Sequence, residues 1–201
     1  MKKLSKNKGY TIIETMIAVS LFIVVVMSGM GALLNANLLH NKSRNMRSIM
    51  DSLSFAMEDM SKNLRTGYNY RCITSDFANI GTPLSGATCG GVAFEESTEG
   101  DIGNDTDQWI YYIGNFVDAN GVNKIGVFKS VDGGTSSVRL TPDEVSIDGV
   151  TSGISILGAE APPGNNQQPF ITIKMTGNIT YKNIVTPFSL QTSVSQRLVD
   201  I

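Results

Sequence analysis

The sequence predicts an α+β fold: a long N-terminal helix whose membrane-spanning first half is followed by a second half that packs against an antiparallel β-sheet, in the outline of a ladle. Three observations predict it. Thr15–Asn41 is a window of 27 residues without a charged side chain. Methionines and leucines then recur at helical spacing, and short apolar runs alternate with turn residues beyond Gly67. The 201 residues leave room for one domain outside the apolar window.

The apolar segment Tyr10–Leu39 is long enough to cross a bilayer, which takes about 20 residues. Four lysines precede it and favour a cytoplasmic N-terminus, so the rest of the chain would lie outside the cytoplasm. A cleaved secretory signal would be shorter and would end in a small-residue site. The single acid at the edge of the segment, Glu14, is functional by default because an acid in a spanning helix is costly.

The string KGYTIIETMIAVSLFIVV resembles the processing signal of type IV pilins and pseudopilins. In that family a basic leader ends in Gly, and a dedicated prepilin peptidase cleaves after it and methylates the new N-terminus. The resemblance implies cleavage between Gly9 and Tyr10 and N-methylation of Tyr10. Phe is the commonest first residue in the family, and Tyr10 departs from that while keeping an aromatic ring.

The resemblance also implies a role in filament assembly for Glu14, the fifth residue of the mature chain. In the family this carboxylate pairs with the N-terminal amine of a neighbouring subunit. Glu14 lies one helical turn from Tyr10, so neutralisation of its own N-terminus is an alternative that does not exclude the first role. A buried pair of this kind sets register more than it adds stability.

The second half of the helix carries an amphipathic stripe and ends near Gly67, which suits the C′ position. The stripe comprises Met46, Ile49, Met50, Leu53, Met57, Met60 and Leu64. The segments SLSFAMEDMSKNLRTG and FSLQTSVSQR are similar to the corresponding helix and last strand of J-type pseudopilins and W-type minor pilins. The resemblance divides the chain into a leader (1–9), a transmembrane or filament-core helix (10–39), the outer half of that helix (40–67) and a β-rich globular pilin domain (68–201).

Eight segments of the outer domain have strand character, and their order between 72 and 160 stays open. They are Val92–Phe94, Gln108–Ile113, Lys124–Val131, Ser137–Leu140, Ser146–Ile147, Gly153–Leu157, Phe170–Met175 and Phe188–Arg197. Asp132-Gly133-Gly134 predicts a hairpin turn, and Ala161–Pro169 predicts a loop.

Cys72 and Cys89 are the only cysteines, and an even pair outside the cytoplasm favours a disulfide. Such a bond would contribute about 3 kcal/mol by restricting the unfolded chain. Two free buried thiols are the alternative.

Acidic residues predict a solvated loop between the first two candidate strands, namely Glu95, Glu96, Glu99, Asp101, Asp105 and Asp107. Asp105-Thr106-Asp107 together with Asp101 could offer oxygen ligands to Ca²⁺, but the spacing is not that of an EF-hand. The chain has one histidine, His40, which argues against a histidine-based catalytic triad and against a metal site with several histidine ligands. We expect no catalytic residues, no metal and no cofactor, and therefore no enzyme.

The expected function is that of a structural subunit, a minor pilin or pseudopilin of a type IV pilus or a type II secretion-like filament. The resemblance implies three partners: the prepilin peptidase, other pilin or pseudopilin subunits, and the cytoplasmic membrane before assembly. It also implies a single-pass protein that later joins an extracytoplasmic filament. The alternative is a minor pilin that acts as an adhesin or DNA-uptake module at a pilus tip. Residues 72–160 hold three basic and 13 acidic residues, a net charge of −10, so nucleic acid is not favoured.

Overall fold

A computed structural model of the chain describes residues 9–74, 83–96, 104, 106–160, 166–182 and 184–197. These residues form one α-helix and ten strands, which confirms the α+β class. The elements are α1 (Ile12–Thr66), β1 (Tyr68–Ile73), β2 (Gly86–Cys89), β3 (Gly91–Glu95), β4 (Trp109–Val117), β5 (Asn123–Ser130), β6 (Val138–Arg139), β7 (Val145–Ile147), β8 (Gly153–Leu157), β9 (Phe170–Tyr181) and β10 (Ile184–Ser195). The chain divides into two compact units, residues 1–45 and 46–201.

The strands form two antiparallel sheets where the sequence predicted one. Sheet A has the order β1-β3-β4-β5-β6. Sheet B has the order β10-β9-β8-β2, and β7 pairs with the part of β9 beyond β8. Apolar alternation fixes which face of a strand is buried but carries no information about its neighbour, so the division into two sheets was beyond the sequence pattern.

The core of the second unit lies between the two sheets and the stripe of α1. Along β9 the buried side chains alternate with exposed or half-buried ones, as expected of a strand with one face on a core. The helix contributes Ile49, Leu53, Ala56, Met57, Met60 and Leu64 as buried residues. Met46 and Met50 are only partly buried at the start of the stripe. The predicted stripe is therefore the core-facing side of the helix.

Six of the eight predicted strand segments correspond to β3, β4, β5, β8, β9 and β10, although β4, β9 and β10 are longer than predicted and β10 ends two residues before the predicted end. The segments 137–140 and 146–147 correspond to the short strands β6 and β7. Strands β1 and β2 were not predicted. The predicted turn at 132–134 does join two paired strands, β5 and β6, and both of its glycines have positive φ. Of the predicted loop 161–169, only 166–169 lie among the described residues, and these contain no strand.

Gly67 follows the helix directly, but not for the reason the sequence suggested. Its N–H donates to Asn63 O, 3.0 Å away, and its φ is not in the left-handed region, which Asn69 occupies two residues later at 57°. A Cβ on Gly67 would lie 2.4 Å from Cδ2 of Phe94. Glycine is needed here because the chain passes close to the Phe94 ring.

Candidate functional site

The segment that carries the predicted processing signal begins with an extended stretch and a helix N-terminus. Thr11 O accepts hydrogen bonds from the N–H groups of Glu14 (3.1 Å) and Thr15 (3.2 Å), which begins the helix at Ile12. The Thr11 hydroxyl lies 3.4 Å from the Glu14 nitrogen, a long contact in the position of an N-cap. Threonine is a good N-cap residue, so the helix starts where the sequence provides one.

Gly9, Tyr10 and Glu14 are all exposed in this segment. Tyr10 is 81% exposed, and a Cβ added at Gly9 would meet nothing within 4 Å. Within the part of the chain that the structure describes, the Glu14 carboxylate has no hydrogen-bond or ion-pair partner. Packing within the described residues therefore does not explain the glycine at position 9 or the acid at position 14. Lysines 2, 3, 6 and 8 of the predicted leader lie outside the described residues.

The apolar helix that follows has its side chains on the outside. From Tyr10 to Leu39 every side chain is exposed except that of Val26, which is half-buried. The helix is long and apolar enough to cross a membrane. It runs without a break through the segment 28–31, and a Cβ on either glycine there would meet nothing within 4 Å. A surface of this kind is unstable in water and requires an apolar environment or a partner.

Three hydroxyl groups in this segment are satisfied by the helix itself. The side chains of Thr15, Ser20 and Ser28 donate to the carbonyls of Ile12 (2.8 Å), Ile17 (2.8 Å) and Val24 (2.9 Å) respectively. A hydroxyl that donates to the preceding turn leaves no unpaired donor for the surroundings. These polar residues are therefore compatible with a hydrocarbon environment.

In the second unit, Cys72 and Cys89 form a disulfide, as the sequence predicted, with their Cα atoms 5.4 Å apart. Cys72 lies in β1 of sheet A and Cys89 in β2 of sheet B, so the bond joins the two sheets covalently. A Cβ on Gly86 would lie 2.2 Å from Cys72 Sγ. The glycine therefore leaves the space that the sulfur occupies.

A polar junction between α1 and sheet A was missed by sequence reasoning. Asp59 accepts hydrogen bonds from Tyr111 Oη (2.7 Å) and Asn63 Nδ2 (3.1 Å), and its carboxylate lies 3.2 Å from Lys129 Nζ. The Lys129 ammonium also lies 4.4 Å from the centre of the Trp109 ring. Burial is the main cause that raises the pKa of Tyr111, so its hydroxyl stays a donor. The junction fixes the helix on the sheet, and the acid beside the apolar stripe was its one sequence signal.

Tyr70 closes the C-terminal end of the helix. Its buried hydroxyl donates to Leu64 O at 2.6 Å and also contacts Gly67 O. Burial raises the pKa of Tyr70, which keeps this donor protonated. The carbonyls of the last turn have no intrahelical partner, and a tyrosine hydroxyl supplies one here.

The predicted acidic loop is partly corrected. Glu95 is the last residue of β3 and is 0% exposed, and its Oε1 accepts a hydrogen bond from Gln108 Nε2 at 2.7 Å. Glu99, Asp101 and Asp105 lie outside the described residues. Among the described residues, no group of three or more His, Cys, Asp or Glu side chains is placed to hold a metal ion. Glu95 is therefore a core residue and not part of a solvated loop.

The structure thus brings together one predicted pair, the two cysteines, and leaves Gly9, Tyr10 and Glu14 exposed along one segment. Comparison with known proteins found no matching family model, no matching curated protein and no matching solved structure.

Proposed function

We propose that the protein is a structural subunit of a type IV pilus or a type II secretion-like filament, processed at Gly9 and anchored by its N-terminal helix before assembly. The observation that supports this most is the Gly9–Glu14 motif at the start of an apolar helix with an exposed surface. A helix of this kind serves both stages, since a bilayer and a bundle of like helices both cover apolar side chains.

Cleavage after Gly9 creates an amine at Tyr10, and N-methylation leaves that amine cationic. The partial positive charge of the helix N-terminus offsets the Glu14 carboxylate while the subunit is in the membrane. In the filament, the carboxylate of one subunit pairs with the Tyr10 amine of its neighbour. Loss of either partner leaves the other charge buried and uncompensated, which costs several kcal/mol.

The four lysines of the leader orient the helix with its N-terminus in the cytoplasm. The second unit then lies outside the cytoplasm, where an oxidising environment maintains a disulfide such as Cys72–Cys89. Removal of the leader leaves 12 basic and 18 acidic residues and changes the net charge from −2 to −6. The second unit would supply the outer surface of the filament.

The proposal predicts a processed N-terminus when the chain is produced together with a prepilin peptidase. Intact-mass spectrometry should show loss of residues 1–9 and the gain of one methyl group on Tyr10. Gly9→Val should block cleavage, because it places a β-branched side chain directly before the peptide bond that is cleaved. The matched control is Gly29→Val, which has equally open surroundings and should be cleaved normally. A wild-type chain that keeps residues 1–9 would contradict the proposal.

Glu14→Ala separates processing from assembly. The variant should be cleaved normally but should be absent from purified filaments, because the Tyr10 amine of its neighbour loses its partner. The control is Glu58→Ala, which removes an exposed acid from the same helix. This variant should be incorporated at the wild-type level. Immunoblots that compare the amount of subunit in sheared filaments with the amount left in membranes measure the incorporation of both variants. Wild-type incorporation of Glu14→Ala would remove the assembly role of that residue.

A further inference from the structure

One sheet edge of the second unit is unlike the others. Strand β10 borders sheet B, runs for 12 residues in unbroken register with β9, and contains no charged side chain. The remaining border strands are short or irregular: β6 has two residues, β7 has three, β2 has four and is bonded to β1 through the disulfide, and the β1 register is interrupted. Proteins normally blunt their sheet edges in such ways, or with charged side chains and prolines. The β10 edge is long and uncharged, and Pro187 is its one such interruption.

Two observations show which residues of β10 direct their backbone N–H and C=O groups towards the free edge. Gln196 N–H donates to Pro169 O at 3.0 Å, and this pair continues the β9–β10 register by one residue beyond Ser195 and Phe170. Because hydrogen-bonded and free pairs alternate, the even-numbered residues bond to β9. Pro187 is odd-numbered, and this agrees with the assignment, because proline has no N–H and could not donate a hydrogen bond to β9. The odd-numbered residues of β10 therefore direct their N–H and C=O groups away from β9, and among the described strands β10 pairs with β9 alone. The free edge ends at Ser195, because the next odd residue, Arg197, donates its N–H to Arg65 O of α1 at 2.8 Å.

The sequence of this edge is complementary to itself around Gln191. An antiparallel partner with the same sequence, centred on this residue, places Ser189 opposite Ser193 and Leu190 opposite Thr192. Phe188, 9% exposed at the border of the core, meets Val194 of the partner strand. In this register a hydroxyl side chain lies opposite another hydroxyl, and an apolar side chain lies opposite an apolar or β-branched one. No two like charges lie opposite each other. The Ser193 hydroxyl already contacts Thr172 of β9 at 3.1 Å, so the partner strand would extend an existing row of hydroxyl groups.

We propose that β10 is a homotypic docking edge, on which a second copy of this chain adds its own β10 in antiparallel register about a two-fold axis at Gln191. The two copies of sheet B then form one continuous sheet. A strand with self-complementary pairing fits a second copy better than an unrelated peptide, because each position from Phe188 to Val194 is matched without any sequence from outside. The pairing does not depend on the filament proposal, since neither Glu14 nor the leader takes part.

The register sets distances that distinguish it from other modes of association. The two Gln191 Cα atoms should lie about 5.5 Å apart, as in a hydrogen-bonded antiparallel pair. The two Ser189 residues would be displaced by four residues along the strand, about 14 Å. Disulfides form only where Cα atoms lie within about 7 Å. Single cysteines at these two positions should therefore behave differently.

The test uses the full chain in detergent micelles under mild oxidation. Cys72 and Cys89 are already bonded to each other, so the introduced cysteine is the only free thiol. Gln191→Cys should give a covalent dimer on non-reducing gels at a rate at least tenfold above that of the matched control Ser189→Cys. The double variant Ser189→Cys/Ser193→Cys should also be crosslinked, since these positions face each other. Association through the apolar helix alone would not select Gln191, and equal crosslinking of both single variants, or none in either, would overturn the proposal.

Charge at the two-fold axis provides an independent measurement. Gln191→Lys and Gln191→Glu each place like charges opposite each other and should raise the dissociation constant of the dimer at least tenfold, measured by analytical ultracentrifugation. A mixture of the two variants should restore association as a heterodimer. Gln191 is exposed, so neither change should disturb the fold of the monomer, which circular dichroism checks. Unchanged dissociation constants for both variants would exclude the two-fold axis at Gln191.

Discussion

The helix α1 has two parts that differ in how their side chains are covered. Up to residue 45, its side chains are exposed or at most half-buried. From Met46 to Thr66, six side chains are buried in the core of the second unit. Both parts contain many apolar residues, but the first part is mostly apolar around its whole circumference as far as Leu39, and the second is apolar only along one stripe.

This difference shows that the spacing of apolar residues carries more information than their number. A helix that is apolar all round needs surroundings that are apolar on every side, whereas a stripe needs one packed surface and leaves the rest in water. The second part obtains its surface from sheets of the same chain. Within the described residues the first part has none, which is consistent with a membrane or neighbouring helices as its environment.

The largest expected effect comes from shortening a leucine in each part of α1. Leu53 is 0% exposed in the core, and Leu53→Ala should lower the free energy of unfolding of the second unit by about 2–5 kcal/mol. Leu33 is 68% exposed, and Leu33→Ala should leave that free energy unchanged. Chemical unfolding followed by the fluorescence of Trp109, the only tryptophan, measures both. An equal loss of unfolding free energy in the two variants would contradict the difference in burial between the two parts of the helix.

An effect of about 3 kcal/mol should follow from removal of the disulfide. The bond closes a separation of 17 residues, and Cys72→Ala/Cys89→Ala releases that restriction of the unfolded chain. The same unfolding experiment on the reduced wild type is the control and should give a similar loss. The first part of α1 does not depend on this bond, so its helical signal in micelles should persist in the variant. Unfolding unaffected by both treatments would contradict the stabilising role.

The smallest expected effect is a pH dependence at the turn between β4 and β5. The Asp118 carboxylate accepts hydrogen bonds from the N–H groups of Asn120 and Val122, both at 2.9 Å, and lies 2.8 Å from Lys124 Nζ. Lys124 is the main cause that lowers the pKa of Asp118 from 3.8 to about 2. A lowered pKa stabilises the fold above the ordinary value, and this contribution is lost as the pH falls from 3.8 toward 2.

Asp118→Asn isolates this contribution from those of other carboxylates. The stability difference between wild type and variant, measured by urea unfolding, should shrink as the pH falls through that interval. Asp132 also has a pKa lowered to about 2, by hydrogen bonds from Ser136, and remains in both proteins, so it cancels in the comparison. A difference that stays constant over the interval would show that Asp118 does not titrate as proposed.

Periodicity made much of this fold predictable. The stripe on α1 and the alternation of strands such as β9 follow directly from which faces are buried. Strand β2 was missed because GATC contains one β-branched residue and no clear alternation. The role of Gly67 was misassigned because the reason for it, the ring of Phe94, lies 27 positions further along the sequence and reaches Gly67 only in the folded chain.

The candidate site divides in the same way. The disulfide was predictable from an even pair of cysteines in a segment that the leader lysines and the apolar window predict to lie outside the cytoplasm. The burial of Glu95 was not, because its partner Gln108 is brought alongside by the pairing of β3 with β4. The polar junction at Asp59 likewise depends on residues 52 and 70 positions away. Sequence patterns predicted local geometry, and long-range pairing decided which polar side chains became core residues.

The position of the disulfide has a mechanical consequence for the second unit. Strand β1 begins two residues after α1 ends, so tension along this part of the helix enters sheet A at Tyr68. Four residues further, at Cys72, a covalent bond leads to β2 and therefore to sheet B. The two sheets then share the tension instead of receiving it one after the other along the chain. A reduced protein would transmit it from β1 through hydrogen bonds alone, namely those to β3 and those that join the backbone of Tyr70 and Cys72 to Leu84.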